Sequence, residues 1–156
     1  MRTAAPGRAL VSTRAPGALV DGAVPFDEPE REELAGALAA ALADHDGPLL
    51  LVAPDVPRLD DRLAQAALGD LAAGCALSFA PATDARPCLL ALASPAPHLL
   101  ELVTSRRARD EVLAAAVELG GEVGLLRSER RVVTPGDARA LALDPLVSPD
   151  LRRLAG

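Results

Sequence analysis

Apolar positions along this chain fall into two alternating patterns. Short unbroken runs, Leu49 to Ala53, Cys75 to Ala80 and Pro87 to Leu92, sit between Pro and Gly punctuation and predict strands. Between and around them, Leu and Ala recur at every third or fourth position, the spacing of one face of a helix. Leu34, Leu38 and Leu42 make such a stripe in a helix that opens with a capping box at Asp27 and Glu30 and stops near His45, before Gly47-Pro48. Leu59, Leu63, Ala67 and Leu71 make a second, ended by Gly74. A short helical segment is predicted around His98 to Val103, and Val112, Leu113, Ala116 and Val117 define a further helix over Arg109 to Leu119, before Gly120-Gly121.

Weaker extended signals lie at Arg8 to Ser12, Ala18 to Val20, Glu122 to Arg127 and Arg131 to Val133. Thr134-Pro135-Gly136-Asp137 and Ser148-Pro149-Asp150 each open a last helix, with a hydroxyl cap followed by Pro at the first helical position. The order of elements predicts one three-layer α/β domain over residues 1–156, with a mixed, mostly parallel sheet. Leu49 to Ala53, apolar throughout, reads as a strand buried on both faces. The few residues between the Cys75 and Pro87 strands make those two antiparallel neighbours.

Candidate chemistry follows from this order, because open α/β sheets bind ligands beyond the carboxyl ends of their strands. Asp55 stands there, between Pro54 and Pro57, and has two readings: a metal ligand, or a turn residue capping the following helix. Asp84, in Pro81-Ala-Thr-Asp84, reads first as the side chain of an Asx turn and second as a substrate contact. Thr134 is a helix cap, to which a phosphate contact would be additional. His45 and His98 are each alone in apolar surroundings and read as structural.

Composition narrows the chemistry. Of 156 residues, half are apolar, yet only Phe26 and Phe79 are aromatic, so Leu, Val and Ala must build the core. The chain contains no Lys, Ile, Asn, Tyr or Trp. This removes a lysine Schiff base, a P-loop lysine and most base stacking. A net charge of −6 opposes general nucleic-acid binding. The arginine clusters at Arg106, Arg107 and Arg109 and at Arg127, Arg130 and Arg131 are interspersed with acids and read as solvated faces, with a phosphate patch as the alternative. Cys75 and Cys88 are too few for a framework and read as reduced core residues. No stretch reads as a signal peptide or membrane span, so a cytoplasmic protein with no membrane partner is expected.

Three segments, Leu49 to Pro57, Ala80 to Asp84 and Val133 to Asp137, also stand in an order and at separations that resemble one family. This is the bacterial nucleotide-diphospho-sugar transferase-like proteins of glycosyltransferase-A fold, a three-layer α/β/α, Rossmann-like architecture. The closest branch has a poorly defined role. Its members typically carry Gly-Thr-Asp-Ser-Pro after a buried strand, then Gly-Pro-Ala-x-Asp-Gly-Gly-Tyr-Tyr-Leu, then Asp-Val-Asp-Thr-Pro before a helix. The resemblance covers about residues 27–141, with 1–26 as a divergent or truncated front end.

By that resemblance Asp55 is the metal- or nucleotide-proximal aspartate, with Mg²⁺ or Mn²⁺ as the implied cation. Asp84, Arg86 and Thr134 are the implied contacts to a nucleotide or nucleotide-sugar. The chain also departs from the pattern. Ala85, Arg86, Pro87 and Cys88 replace Gly, Gly, Tyr and Tyr, while Arg131 and Val133 replace both aspartates of the third motif. The resemblance therefore implies a transferase-like protein with a degraded active site. The alternative is a catalytically inactive scaffold or interaction domain, whose Ala-rich helices offer flat surfaces suited to a homo-oligomer.

Overall fold

The computed structural model describes residues 9–12, 23–26, 33–53, 55–104, 109–118 and 120–155. Among these residues six strands and six helices run in the order β1 (Ala9–Ser12), β2 (Ala23–Phe26), α1 (Leu34–Ala41), β3 (Leu49–Val52), α2 (Asp61–Ala72), β4 (Leu77–Pro81), β5 (Pro87–Leu92), α3 (Pro97–Thr104), α4 (Arg109–Glu118), β6 (Val123–Leu125), α5 (Pro135–Ala142) and α6 (Pro149–Ala155). β1 and β2 pair in parallel as a separate ribbon. The predicted extended piece at Ala18 to Val20 and the capping box at Asp27 and Glu30 lie outside the described residues.

The main sheet has the order β3-β5-β4-β6. β5 is antiparallel to both β3 and β4, and only β4 and β6 are parallel. The sheet is therefore mixed but not mostly parallel as expected. The cause is the short link between β4 and β5, which admits only an antiparallel return and wedges β5 between β3 and β4. Leu49 to Ala53 likewise does not form a strand buried on both faces. β3 pairs with β5 alone, its residues are half-buried, and Val52 is 45% exposed. The strands sealed on both faces are β4 and β5, with β4 buried along its whole length.

Two apolar layers sandwich the sheet. Leu77 and Phe79 of β4 and Leu90 and Leu92 of β5 meet Leu38 of α1, Leu99 and Leu100 of α3, and Val112 and Ala116 of α4. The intervening residues Ala80, Leu89 and Ala91 face Leu63 and Ala67 of α2. This is the period of two for strands meeting the three-to-four period of helices. The α2 face is lined with alanines, so that helix lies close to the sheet. Its Asp70 accepts a 2.6 Å hydrogen bond from the buried Ser78 hydroxyl. Gly124 of β6 leaves room for this pair, since a Cβ there would collide with the Asp70 carboxylate and the Ser78 oxygen.

One consequence of the topology matters for function. β3, β4 and β6 all run in the same direction, so their carboxyl ends, followed by Asp55, Asp84 and the 126–134 segment, emerge at one edge. The expected strand at Arg131 to Val133 does not form. The Val132 amide donates instead to the Asp55 carbonyl at 2.8 Å, tying that segment to the loop after β3.

Candidate functional site at the carboxyl edge of the sheet

Three stretches of backbone bring the site together. After β6 the chain continues alongside the end of β4: Leu126 N–H bonds Phe79 O at 2.9 Å, Glu129 N–H bonds Pro81 O at 2.9 Å, and Thr83 N–H bonds Glu129 O at 3.0 Å. These bonds place Arg131 between the loops that follow β3 and β4. Its Nε donates to Asp55 Oδ2 at 2.9 Å, and Nη2 forms an ion pair with the same oxygen at 2.7 Å. Its Nη1 lies 3.8 Å from Asp84 Oδ2, an electrostatic contact too long for a hydrogen bond. The hydrogen bond from Arg131 to Asp55 holds the guanidinium pKa above its ordinary value, with burial working in the opposite direction.

Asp55 lies in a turn, as expected, but does not cap the following helix. The cap of α2 is Asp60, which has extended backbone and accepts from Leu63 N–H at 2.9 Å. That bond, ahead of the nearby Arg127 charge, holds the Asp60 carboxyl below its usual range. As a metal ligand, Asp55 has one oxygen committed to a guanidinium. Its other oxygen, Oδ1, is buried and has no hydrogen-bond partner. Among the described residues no group of three His, Cys, Asp or Glu side chains is arranged to hold a metal ion. A hard divalent cation needs several oxygens, and here one Asp55 oxygen is taken by a fixed positive charge with no cluster of further carboxylates beside the other among the described residues. The residues present do not fit a Mg²⁺ or Mn²⁺ centre at Asp55.

Asp84 closes the turn between β4 and β5 as an Asx turn, its Oδ1 accepting from Arg86 N–H at 3.1 Å, while its Oδ2 faces Arg131. The Arg86 side chain is exposed and makes no ion pair among the described residues. Between them Ala85 has φ of +63°, the left-handed region. A side chain there costs about 1–2 kcal/mol relative to glycine. Glycine, the residue that the resemblance puts at this position, is what this backbone prefers.

Thr134 is spent on capping α5. Its Oγ1 accepts from Asp137 N–H at 3.2 Å, and its own N–H and hydroxyl donate to Asp137 Oδ2 at 2.9 and 2.8 Å. These bonds hold the Asp137 carboxyl below its ordinary value. The structure therefore brings Asp55 and Asp84 together around Arg131, leaves Arg86 on the rim, and gives Thr134 to the helix.

A second ion cluster at this edge was not anticipated. Arg127 Nε donates to Glu129 Oε1 at 2.5 Å, and Nη2 approaches Asp60 Oδ2 at 3.4 Å. The Glu129 side chain is 2% exposed. Ser128-Glu129-Arg130-Arg131 reads as a solvated turn, and only its pairing with the end of β4 buries the carboxylate. For Arg131 a signal did exist: a cation standing where the third motif has a carboxylate, opposite a retained Asp55. Cys88, buried on β5, donates to Ala80 O at 3.3 Å. Burial, reinforced by the Glu129 charge, pushes its thiol up to about 11.

No protein-family model matches the chain, and no curated protein sequence matches it. Its fold is similar to that of a crystal structure of a candidate nucleotide-diphospho-sugar transferase from Desulfovibrio desulfuricans G20, with a TM-score of 0.58 and 21% sequence identity. The match covers 83% of this chain and 57% of the other, so this chain spans little more than half of that protein's length. The chain therefore has a mixed α/β fold like that of a nucleotide-diphospho-sugar transferase-like protein.

Proposed function

We propose that this protein is a nucleotide-diphospho-sugar transferase-like protein that binds a nucleotide-diphosphate sugar at the carboxyl edge of its sheet, with a site degraded for transfer. The observation that carries the reading is the convergence of Asp55, Asp84 and Arg131 where three co-directional strands end, the place where open α/β sheets hold ligands. Asp55 fixes the guanidinium of Arg131 through Nε and Nη2. Nη1, with no hydrogen bond among the described residues, and the exposed Arg86 are the groups that would meet diphosphate oxygens. Asp84 is the carboxylate nearest that position, and a sugar hydroxyl is its natural donor. Transfer is disfavoured because Arg131 and Val133 stand where two carboxylates would serve a cation, and Ala85 strains the turn that would close on the ligand.

A thermal-shift titration with nucleoside diphosphates and their sugars tests this, because a ligand of the folded state raises Tm by mass action. A saturable rise lost in Arg131→Gln is expected. No rise with any of them would instead favour a catalytically inactive scaffold in the cytoplasm. That second reading draws on the C-terminal helices, where Leu143 and Leu154 are each 84% exposed and Leu146 is 69% exposed. Exposed leucines of that kind mark contact surfaces, including those of a homo-oligomer. Among the described residues no helix is long and apolar enough to cross a membrane.

A further inference from the structure

We infer that the Arg131 guanidinium takes the place of a divalent cation at this edge, so that the site receives a diphosphate without metal. The inference rests on the nucleotide-binding reading above and adds how the site is charged. A cation at the end of such a sheet would bridge carboxylates from two loops and leave part of its coordination to the ligand. Arg131 does the same with fixed hydrogen bonds. It joins the loop after β3 through Asp55, lies 3.8 Å from the loop after β4 at Asp84, and keeps Nη1 without a hydrogen bond among the described residues.

The charges agree. Asp55 and Asp84 with Arg131 and Arg86 are neutral together, as two carboxylates with one divalent ion would be. A guanidinium presents planar paired donors suited to phosphate oxygens, and it remains protonated at any working pH. Arg131 occupies Asp55 Oδ2, the oxygen a bridging cation would share with the loop after β4, while Oδ1 is buried without a hydrogen-bond partner. The substitution is also complete in the sequence. The one residue that turns from acid to base, Arg131, is the one that grips the aspartate that was kept.

Two measurements test this on the full chain, with circular dichroism confirming that each variant is folded. In the first, UDP, GDP and pyrophosphate are titrated in EDTA and in excess Mn²⁺. The affinity of the wild type for the best of these is expected to change by less than about twofold between the two conditions. Arg131→Gln is expected to weaken it at least about tenfold, the loss of charge-assisted bonds. Binding that needs Mn²⁺ would overturn the inference while leaving the nucleotide-binding reading intact.

In the second, free Mn²⁺ is followed by electron paramagnetic resonance without nucleotide. The wild type is expected to leave the Asp55 region metal-free, and Arg131→Asp to gain Mn²⁺ binding that Asp55→Asn in the same background removes. Mn²⁺ bound by the wild type and lost in Asp55→Asn would overturn the inference. This second assay decides whether Arg131 excludes a cation even where no nucleotide binds, the result that would defeat the proposed function and the diphosphate half of the inference with it.

Discussion

Two arginines four residues apart, Arg127 and Arg131, each hold two carboxylates at the same edge of the sheet, and they do different work. Arg127 is 49% exposed and reaches inward to Glu129, a carboxylate that is 2% exposed. Its value is to neutralise a charge that the fold has buried. Arg131 is 26% exposed and its partners Asp55 and Asp84 are 27% and 44% exposed, so solvent shares in balancing these charges as it cannot at Glu129. Its Nη1 makes no hydrogen bond among the described residues and lies 3.8 Å from Asp84 Oδ2. Burial of the partner, not the presence of an ion pair, separates a clamp that holds the fold from a charge that the proposed function leaves free for a ligand.

The largest expected effect breaks the first cluster. Arg127→Ala leaves Glu129 buried with no countercharge and should cost about 2 kcal/mol of unfolding free energy in urea, within the range for a lost hydrogen bond to a charged group. Arg131→Gln should cost less, about 1 kcal/mol, since the carboxylates it leaves are half-buried and keep contact with solvent. Equal costs for the two would erase the distinction between clamp and site. Next in size, Ala85→Gly relieves the left-handed residue in the turn beside Arg131 and should stabilise the protein by about 1 kcal/mol. A loss of stability there would mean that the strain argument is wrong.

Asp60→Ala removes the α2 cap together with the outer partner of Arg127, and should cost about 1 kcal/mol. Because its native pKa lies below the ordinary value of 3.8, held there by the Leu63 N–H, that contribution is present above this pH and fades as pH falls below it. A urea series from pH 7 to pH 3 checks it.

The smallest effect sharpens the comparison most. Cys88 lies between the clusters, and its thiol is raised by burial and then by Glu129, while Arg131 lowers it. Raised from 9.0 to about 11, it favours the folded state fully below 9.0 and loses that contribution as pH rises through 11. Thiol titration should find a higher value in Arg131→Gln and a lower one in Glu129→Gln. A shift of the same sign in both variants would contradict the placement of the two charges around Cys88.

Local pattern made most elements legible. The stripe of Leu34, Leu38 and Leu42, the α2 stripe, the hairpin of β4 and β5 and the Thr134 cap all follow from spacing or from punctuation by Pro and Gly. What failed was non-local. The run at Leu49 to Val52 says that a strand is apolar but not how many neighbours it has, so an edge strand was read as an interior one. The antiparallel β4–β5 turn was foreseen, yet its consequence, β5 inserted between β3 and β4, decides the sheet's overall sense and is invisible to a local reading. At the site, Asp55 and Asp84 were legible from their place after strands. That Arg131 holds them depends on the pairing of Glu129 with Pro81 and of Val132 with Asp55, bonds between segments more than 45 residues apart in sequence.

The claim that Arg131 substitutes for a cation is tested most directly by the ³¹P line width of a nucleoside diphosphate titrated with the protein in EDTA. Broadening of both phosphorus lines by the wild type, with sharp lines for Arg131→Gln, is the predicted result. Sharp lines in EDTA that broaden only when Mg²⁺ is restored would contradict it.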